Sequence, residues 1–238
     1  MSASPPSPWP QFLLGARLFL PVAVSIAAYG LVWGVLAGQA GLGVLEVLLM
    51  SGLVYAGASQ FVALELWTPG ALPIGTIVIA VGIVNLRMLL MSATLRPLFA
   101  GVPRRRAIAM MFLVTDEQWA LTIAEMRRGR GSVAFMAGVG VLAWLAWVAS
   151  TLIGRLLGAA IADPATYGLD FAFIATFIAL VLGMWRGRGD LLPWLVAALL
   201  AIVTARYVPG QWYVIAGGLG GSLAGALAEH RKGAAHAA

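Results

Sequence analysis

Long stretches of this chain carry no charged residue, among them 18–45, 47–64, 66–86, 131–154, 171–185, 191–205 and 207–228. Such runs match the roughly 20 residues that take a helix across a hydrocarbon layer about 30 Å thick. Inside lipid every backbone polar group must be satisfied within the protein, which leaves helices or a closed barrel. Barrel strands alternate apolar and polar residues, and these runs do not. With 61% of the 238 residues hydrophobic and 10% charged, a soluble fold is excluded. The apolar residues suffice for about seven crossings of some 20 residues each. The expectation is an all-α polytopic integral membrane protein with about seven transmembrane helices, within a range of about six to eight.

The residue types that are missing exclude most chemistry. There is no cysteine, so disulfides, thiolate metal sites and cysteine nucleophiles are ruled out. The two histidines, His230 and His236, and the lone lysine, Lys232, lie near the C-terminus. A buried haem ligand, a histidine zinc site, a Ser-His relay or a Schiff-base lysine therefore lacks its central residue. No cofactor or metal and no enzymatic activity is expected. Gly187-Arg188-Gly189-Asp190 spells the G-x-G-D of intramembrane aspartyl proteases. The second aspartate that such a dyad needs has no candidate, since no Tyr-Asp pair occurs. The net charge of +6 would suggest nucleic acid in a soluble protein. Here Arg104, Arg105, Arg106, Arg127, Arg128, Arg130, Arg186 and Arg188 flank apolar segments and read as cytoplasmic anchors.

Residues 1–10, rich in proline and serine, are expected to form a disordered tail rather than a cleaved signal. Residues 11–229 then form a single transmembrane domain, followed by a C-terminal tail at 230–238. If every apolar segment crossed, the clusters at 104–106 and 127–130 would fall on opposite sides. A broken or re-entrant helix over 107–126 puts both inside. The result is seven crossings with the N-terminus outside, and Arg17 is the one misplaced basic residue. Were 43–66 also re-entrant, six crossings would remain and the N-terminus would move inside. Thr115-Asp116-Glu117-Gln118 supports a break, because an N-cap residue with glutamine three positions later starts helices. Two glycine ridges, Gly30/Gly34/Gly38 and Gly217/Gly221/Gly225, allow close helix approach. They serve either packing within the chain or a subunit interface.

Polar residues within apolar runs are the candidate site. Arg87 lies nine residues before Arg96, about 13 Å deeper at helical rise, where a guanidinium needs a partner. It either holds a substrate carboxylate or pairs with Asp116 or Glu117. Asn85, two residues earlier, could line the same pocket through backbone distortion. Asp116 and Glu117 are adjacent acids in apolar surroundings, suited to carrying a proton or to capping and pairing. Ser51, Tyr55 and Ser59 recur every four residues, with Gln60 beside them, as a polar stripe on one helical face. That stripe serves a polar substrate or interhelical hydrogen bonding.

These residues carry a resemblance. Tyr55-Ala-Gly-Ala-Ser-Gln-Phe61, Asn85-Leu-Arg87, Thr115-Asp-Glu117 and Gly168-Leu-Asp170-Phe171 together resemble the AzlC family, the large subunit of branched-chain amino-acid exporters, over nearly the whole chain. Tyr55 and Trp119 stand where phenylalanine is commoner in that family. The resemblance implies a secondary transporter subunit in the cytoplasmic membrane that exports valine, leucine or isoleucine. It also implies proton coupling and a small hydrophobic partner subunit of the AzlD type. On this reading Arg87, Asn85, Ser59, Gln60, Tyr55 and Thr115 bind substrate, while Asp116 and Glu117 couple protons. A channel, or a scaffold without coupled transport, is the alternative.

Overall fold

The computed structural model describes residues 7–67, 70, 72–158, 178, 182, 185, 187–208 and 212–236. Asp163, Arg186 and the motif Gly168–Phe171 lie outside these residues. The described residues are helical throughout their ordered elements and form two compact units. The first comprises 1–72 and 84–172, the second 73–83 and 173–238. Among the described residues four helices are long and apolar enough to cross a membrane: Trp9–Gln39, Ile74–Phe99, Val133–Gly158 and Arg188–Tyr207.

The frame of the first unit is α1 (Trp9–Gln39) against α7 (Val133–Gly158). A Cβ on Gly15 would overlap the Phe135 carbonyl, on Gly34 that of Thr151, on Gly138 that of Phe12 and on Gly154 that of Leu31. Residue numbers rise together along both helices, so they run parallel, with the N-terminus of α1 beside that of α7. Close approach of this kind is what small residues permit where lipid offers no hydrophobic drive. The ridge Gly30/Gly34/Gly38 is thus filled by Ser150, Thr151 and Arg155 of the same chain.

Between these helices the chain twice enters and turns back. Residues 44–65 form α2 (Val44–Leu49), a π-helical turn Met50–Val54 and α3 (Gly57–Glu65). The Leu42 carbonyl accepts from Arg155 Nε at 2.7 Å and the Gly52 carbonyl from Trp144 Nε1 at 3.0 Å. The chain therefore descends along α7 from its C-terminal end. It reverses at Tyr55, the only non-glycine residue with positive φ among those described (φ 47°). Gln60 then returns to hydrogen-bond both Ser51 (3.4 Å) and Trp147 (3.0 Å). This segment is a re-entrant hairpin centred on Tyr55-Ala56.

The second hairpin is α5 (Arg104–Met111) and α6 (Asp116–Arg127). The hydroxyl of Thr115 caps α6 by accepting from Gln118 N at 3.4 Å. The glutamine side chain does not complete the capping box; it donates to the Met136 carbonyl instead (3.3 Å). Along α4 (Ile74–Leu95), Arg87 meets Asp116 and Thr94 meets Trp119. Leu95, Leu98 and Phe99 share a cluster with Ile123 and Met126. Hence α6 runs alongside α4 in the same direction, and Arg127 finishes at the end where Arg104 begins. Both arginine clusters stand at one end of the unit, as a re-entrant 107–126 requires.

Two expectations change. Segment 43–66 forms two short helices that reverse at Tyr55 rather than one continuous helix. The N-terminus of α1 then lies at the arginine-rich end, so Arg17 is no longer an exception. The expected every-fourth-residue stripe does not exist as one helical face either, because a π-turn and a left-handed residue separate Ser51 from Ser59.

In the second unit α8 (Leu191–Tyr207) and α9 (Trp212–His236) pack antiparallel. A Cβ on Gly217 would lie 3.0 Å from the Ala197 carbonyl oxygen, and one on Gly221 would lie 3.1 Å from that of Pro193. This ridge is also filled within the chain. Helix α9 runs to His236, through the stretch expected as a tail, and Arg188–Asp190 of the protease-like string is a 3₁₀ turn ahead of α8.

Candidate functional site

The two hairpins enter the first unit from opposite ends. The first descends from the level of Arg155 to that of Trp144, while Leu113 near the second tip packs on Gly140. The tips meet, with Tyr55 and Phe112 ring centroids 5.8 Å apart. Two half-helices, α3 and α6, start at this level, each presenting N–H groups without intrahelical partners. Discontinuous helices with their N-terminal ends near the middle of the bilayer are how secondary transporters build substrate sites.

Arg87 Nη2 contacts Asp116 Oδ2 at 2.9 Å, and the two side chains are 39% and 42% exposed within the structure. The pair is open on one side, so its strength is screened compared with an enclosed one. Arg87 Nε is enclosed and has no acceptor among the described residues. Glu117 has no cation within ion-pair distance among them. Asp116 is thus committed to Arg87, while Glu117 is served by the Thr115 hydroxyl and by backbone N–H without an ion pair of its own.

The remaining candidates separate. Ser59 donates to Asn85 Oδ1 at 2.8 Å, joining α3 to α4. Asn85 and Arg87 lie on an uninterrupted helix, so the expected backbone distortion is absent. Two residues along a helix face different ways; Asn85 faces hairpin 1 and Arg87 faces hairpin 2. Gln60 and Ser51, both fully buried, are engaged with each other and with Trp147. Thr115 serves as a cap. Tyr55, 5% exposed, stands at the point of reversal with a hydroxyl that has no hydrogen-bond partner among the described residues.

Sequence reasoning missed Tyr29 on α1. Its ring stacks on Phe61 at 4.6 Å and lies 5.8 Å from that of Trp147. Its enclosed hydroxyl has no hydrogen-bond partner among the described residues. A tyrosine in an apolar run resembles packing, and no local spacing marks it.

At the arginine-rich end, Glu125 (1% exposed) accepts from Arg130 at 3.0 and 3.1 Å and from Arg128 at 2.8 Å. These guanidiniums hold its carboxyl below the usual carboxylate range, hydrogen bonds from Arg130 first. The contact fixes the α6–α7 turn and was not foreseen. Thr94, Trp119, Ile123, Met126 and Arg127 line an open cavity of about 370 Å³ nearby.

Opposed hairpins whose tips meet near the Arg87–Asp116 pair, beside long apolar helices, define an all-α membrane protein. The AzlC family profile, described as AzlC protein, matches residues 21–161, the stretch that contains both hairpins. The chain belongs to the AzlC family. It is 28% identical over 200 residues to the inner membrane protein YgaZ of Escherichia coli (strain K12), covering 80% of this chain and 81% of that one. It is 31% identical over 181 residues to a membrane protein of Archaeoglobus fulgidus, covering 75% and 78%. Identity to the branched-chain amino acid transport protein AzlC of Bacillus subtilis is 24% over 178 residues, covering 74% and 69%. No solved structure matches the chain.

Proposed function

We propose that this protein is a secondary transporter subunit of the cytoplasmic membrane that exports branched-chain amino acids, driven by the proton gradient. The observation that carries this reading is the Arg87–Asp116 pair at the junction of two opposed hairpins. A zwitterion needs a cation for its carboxylate, an acceptor for its ammonium and an apolar pocket for its side chain. Arg87 offers the first. Glu117 offers the second, and the leucine, methionine and aromatic side chains around the tips offer the third. Asp116 holds Arg87 in place, while Glu117, without a cation, is the better proton carrier. A scaffold gains nothing from charges that cost several kcal/mol in the bilayer.

A small hydrophobic subunit of the AzlD type completes the transporter. Its contact is not through either glycine ridge, since each is filled within the chain. That replaces the interface role left open for the ridges above.

The test is counterflow of labelled leucine in proteoliposomes holding this protein and its partner, with and without a pH gradient. Saturable exchange that a pH gradient drives uphill supports the reading. Absent leucine flux would refute it, and flux without saturation would point to a channel.

A further inference from the structure

The order of elements in the first unit repeats. Helix α1 is followed by a turn at Gly41, the short arm α2, a tip and the second arm α3, with Gly70 beyond it. Helix α4 is followed by Gly101, α5, a tip and α6, with Gly129 beyond it. These four glycines have φ between 73° and 85°. Ser59-Gln60-Phe61 on α3 stands 58 positions before Glu117-Gln118-Trp119 on α6, and both glutamines are fully buried. Because α1 runs away from the arginine-rich end, α4 runs toward it and the hairpins enter from opposite ends, the second copy is inverted. Inverted copies are a common build of secondary transporters.

The two copies are seated differently. Phe61 stacks on Tyr29 of α1, 32 positions earlier. Trp119 takes the place of Phe61 in the second copy, and the same separation leads from it to Arg87. Instead its Nε1 donates to Thr94 Oγ1 at 2.8 Å, 25 positions earlier, while Asp116 reaches Arg87, 29 positions earlier. Each arm runs parallel to the long helix of its copy. Helix α6 is therefore set three to seven residues farther along α4 than α3 is along α1, about 5–10 Å at helical rise. The glutamines differ as well. Gln60 donates to Ser51 and accepts from Trp147. Gln118 donates to the Met136 carbonyl, but its enclosed Oε1 has no donor among the described residues, an uncommon state for a buried amide oxygen.

We propose that hairpin 2 has a second seat, about one helical turn or more deeper along α4, in which it repeats the seating of hairpin 1. The proposal rests on the transport reading and adds which element moves, along which track and how far. Trp119 leaves Thr94 and comes level with Arg87, where an indole face and a guanidinium attract. Asp116 draws away from Arg87, whose guanidinium is left to the substrate's carboxylate. Gly101 and Gly129 bound the moving segment as hinges, and the open cavity lined by Thr94, Trp119, Ile123, Met126 and Arg127 borders its track. Shifts of one turn past a neighbouring element are an established kind of switch.

The chain has no cysteine, so spin labels at Ala40→Cys and Arg127→Cys report α6 against the far end of α1 in the full-length protein in nanodiscs. Entry into the second seat should shorten this distance by about 5–10 Å, while a Ser7→Cys/Ala40→Cys pair on α1 stays constant. Leucine should raise the shorter population. Thr94→Val removes the acceptor of the described seat and should raise it about fivefold without leucine. A single unchanged distance under both conditions, or a longer one, would overturn the proposal. A shorter population that Thr94→Val raises and leucine leaves untouched would support the second seat and refute leucine transport, so the two failures are distinct.

Discussion

Replacing Gly34 with alanine tests the seam on which both hairpins hang. A Cβ there would overlap the Thr151 carbonyl oxygen, and it would lie 2.9 Å from the carbonyl carbon and 2.8 Å from Arg155 N. Carbon atoms rest at about 3.5–4.0 Å, so α1 and α7 must part by roughly 1 Å at this level. The opposing atoms are backbone and cannot rotate away, which places the cost near the upper end of the usual overpacking range, about 3 kcal/mol. Relief of glycine's helix penalty returns about 1 kcal/mol, leaving a net loss of about 2 kcal/mol. Gly82 on α4 is the control, because no described atom comes within 4 Å of its Cβ; there alanine gives only the propensity gain. Thermal unfolding of the purified protein in detergent, followed by tryptophan fluorescence, should show Gly34→Ala melting below the unaltered protein and Gly82→Ala at or above it. If Gly34→Ala melted unchanged, the α1–α7 seam would not be closed as described and the parallel frame would fall with it.

Single cysteines introduced at Ser7 and Arg105 should react with an impermeant thiol reagent from the same side of the membrane, and one at Ala40 from the other. Labelling of Ser7→Cys with Ala40→Cys would restore an N-terminus outside. In proteoliposomes Arg87→Ala should abolish leucine counterflow. Glu117→Gln should keep exchange but lose the response to a pH gradient, and Asp116→Asn should weaken exchange itself. Retention of gradient-driven flux by Glu117→Gln would assign the proton elsewhere. Because the Glu125 carboxyl is held below its ordinary range, its contribution is present above the unfolded carboxylate pKa of about 4.3 and is lost as pH falls through the lower folded value. Melting in detergent from pH 7 down to 3 should therefore show an acid-side loss that Glu125→Gln lacks; the same slope in both would refute the clamp.

The helical membrane class, the re-entrant second hairpin and the Arg87–Asp116 pairing were legible in the sequence. Each is written in charge placement along apolar runs, a signal with no soluble alternative. The break at Thr115 was legible because a cap is a local pattern. The reversal at Tyr55 was not. Ser51, Tyr55 and Ser59 have helical spacing, and only the left-handed backbone of Tyr55 undoes it. Gly52 and Gly57, on either side of Tyr55 in a short apolar segment, were the available hint, since interruptions in corresponding segments of two halves mark such sites. Tyr29 and Trp147 were out of reach because their roles depend on which helices become neighbours. The glycine ridges were visible as ridges, but their partners were not.

The two hairpins are not held alike, and this bears on which can move. Hairpin 1 buries Ser51, Tyr55, Ala58, Ser59, Gln60, Phe61 and Ala63 and is tied to the glycine-locked frame through Trp144, Trp147 and Arg155. Among the residues of α5 none is buried. Hairpin 2 packs into a cluster containing Met88, Met91, Met110, Met111, Met126 and Met136, six of the nine methionines in the chain. Unbranched thioether side chains refill space at low cost when a neighbour shifts, whereas carbonyls seated on glycines cannot slide without clash. Displacing α5 therefore disturbs fewer fixed contacts than displacing any arm of hairpin 1. Asp116 and Glu117 begin α6 just past the tip that α5 helps form, so a shift of α5 would reach the acids while leaving the glycine-locked frame in place.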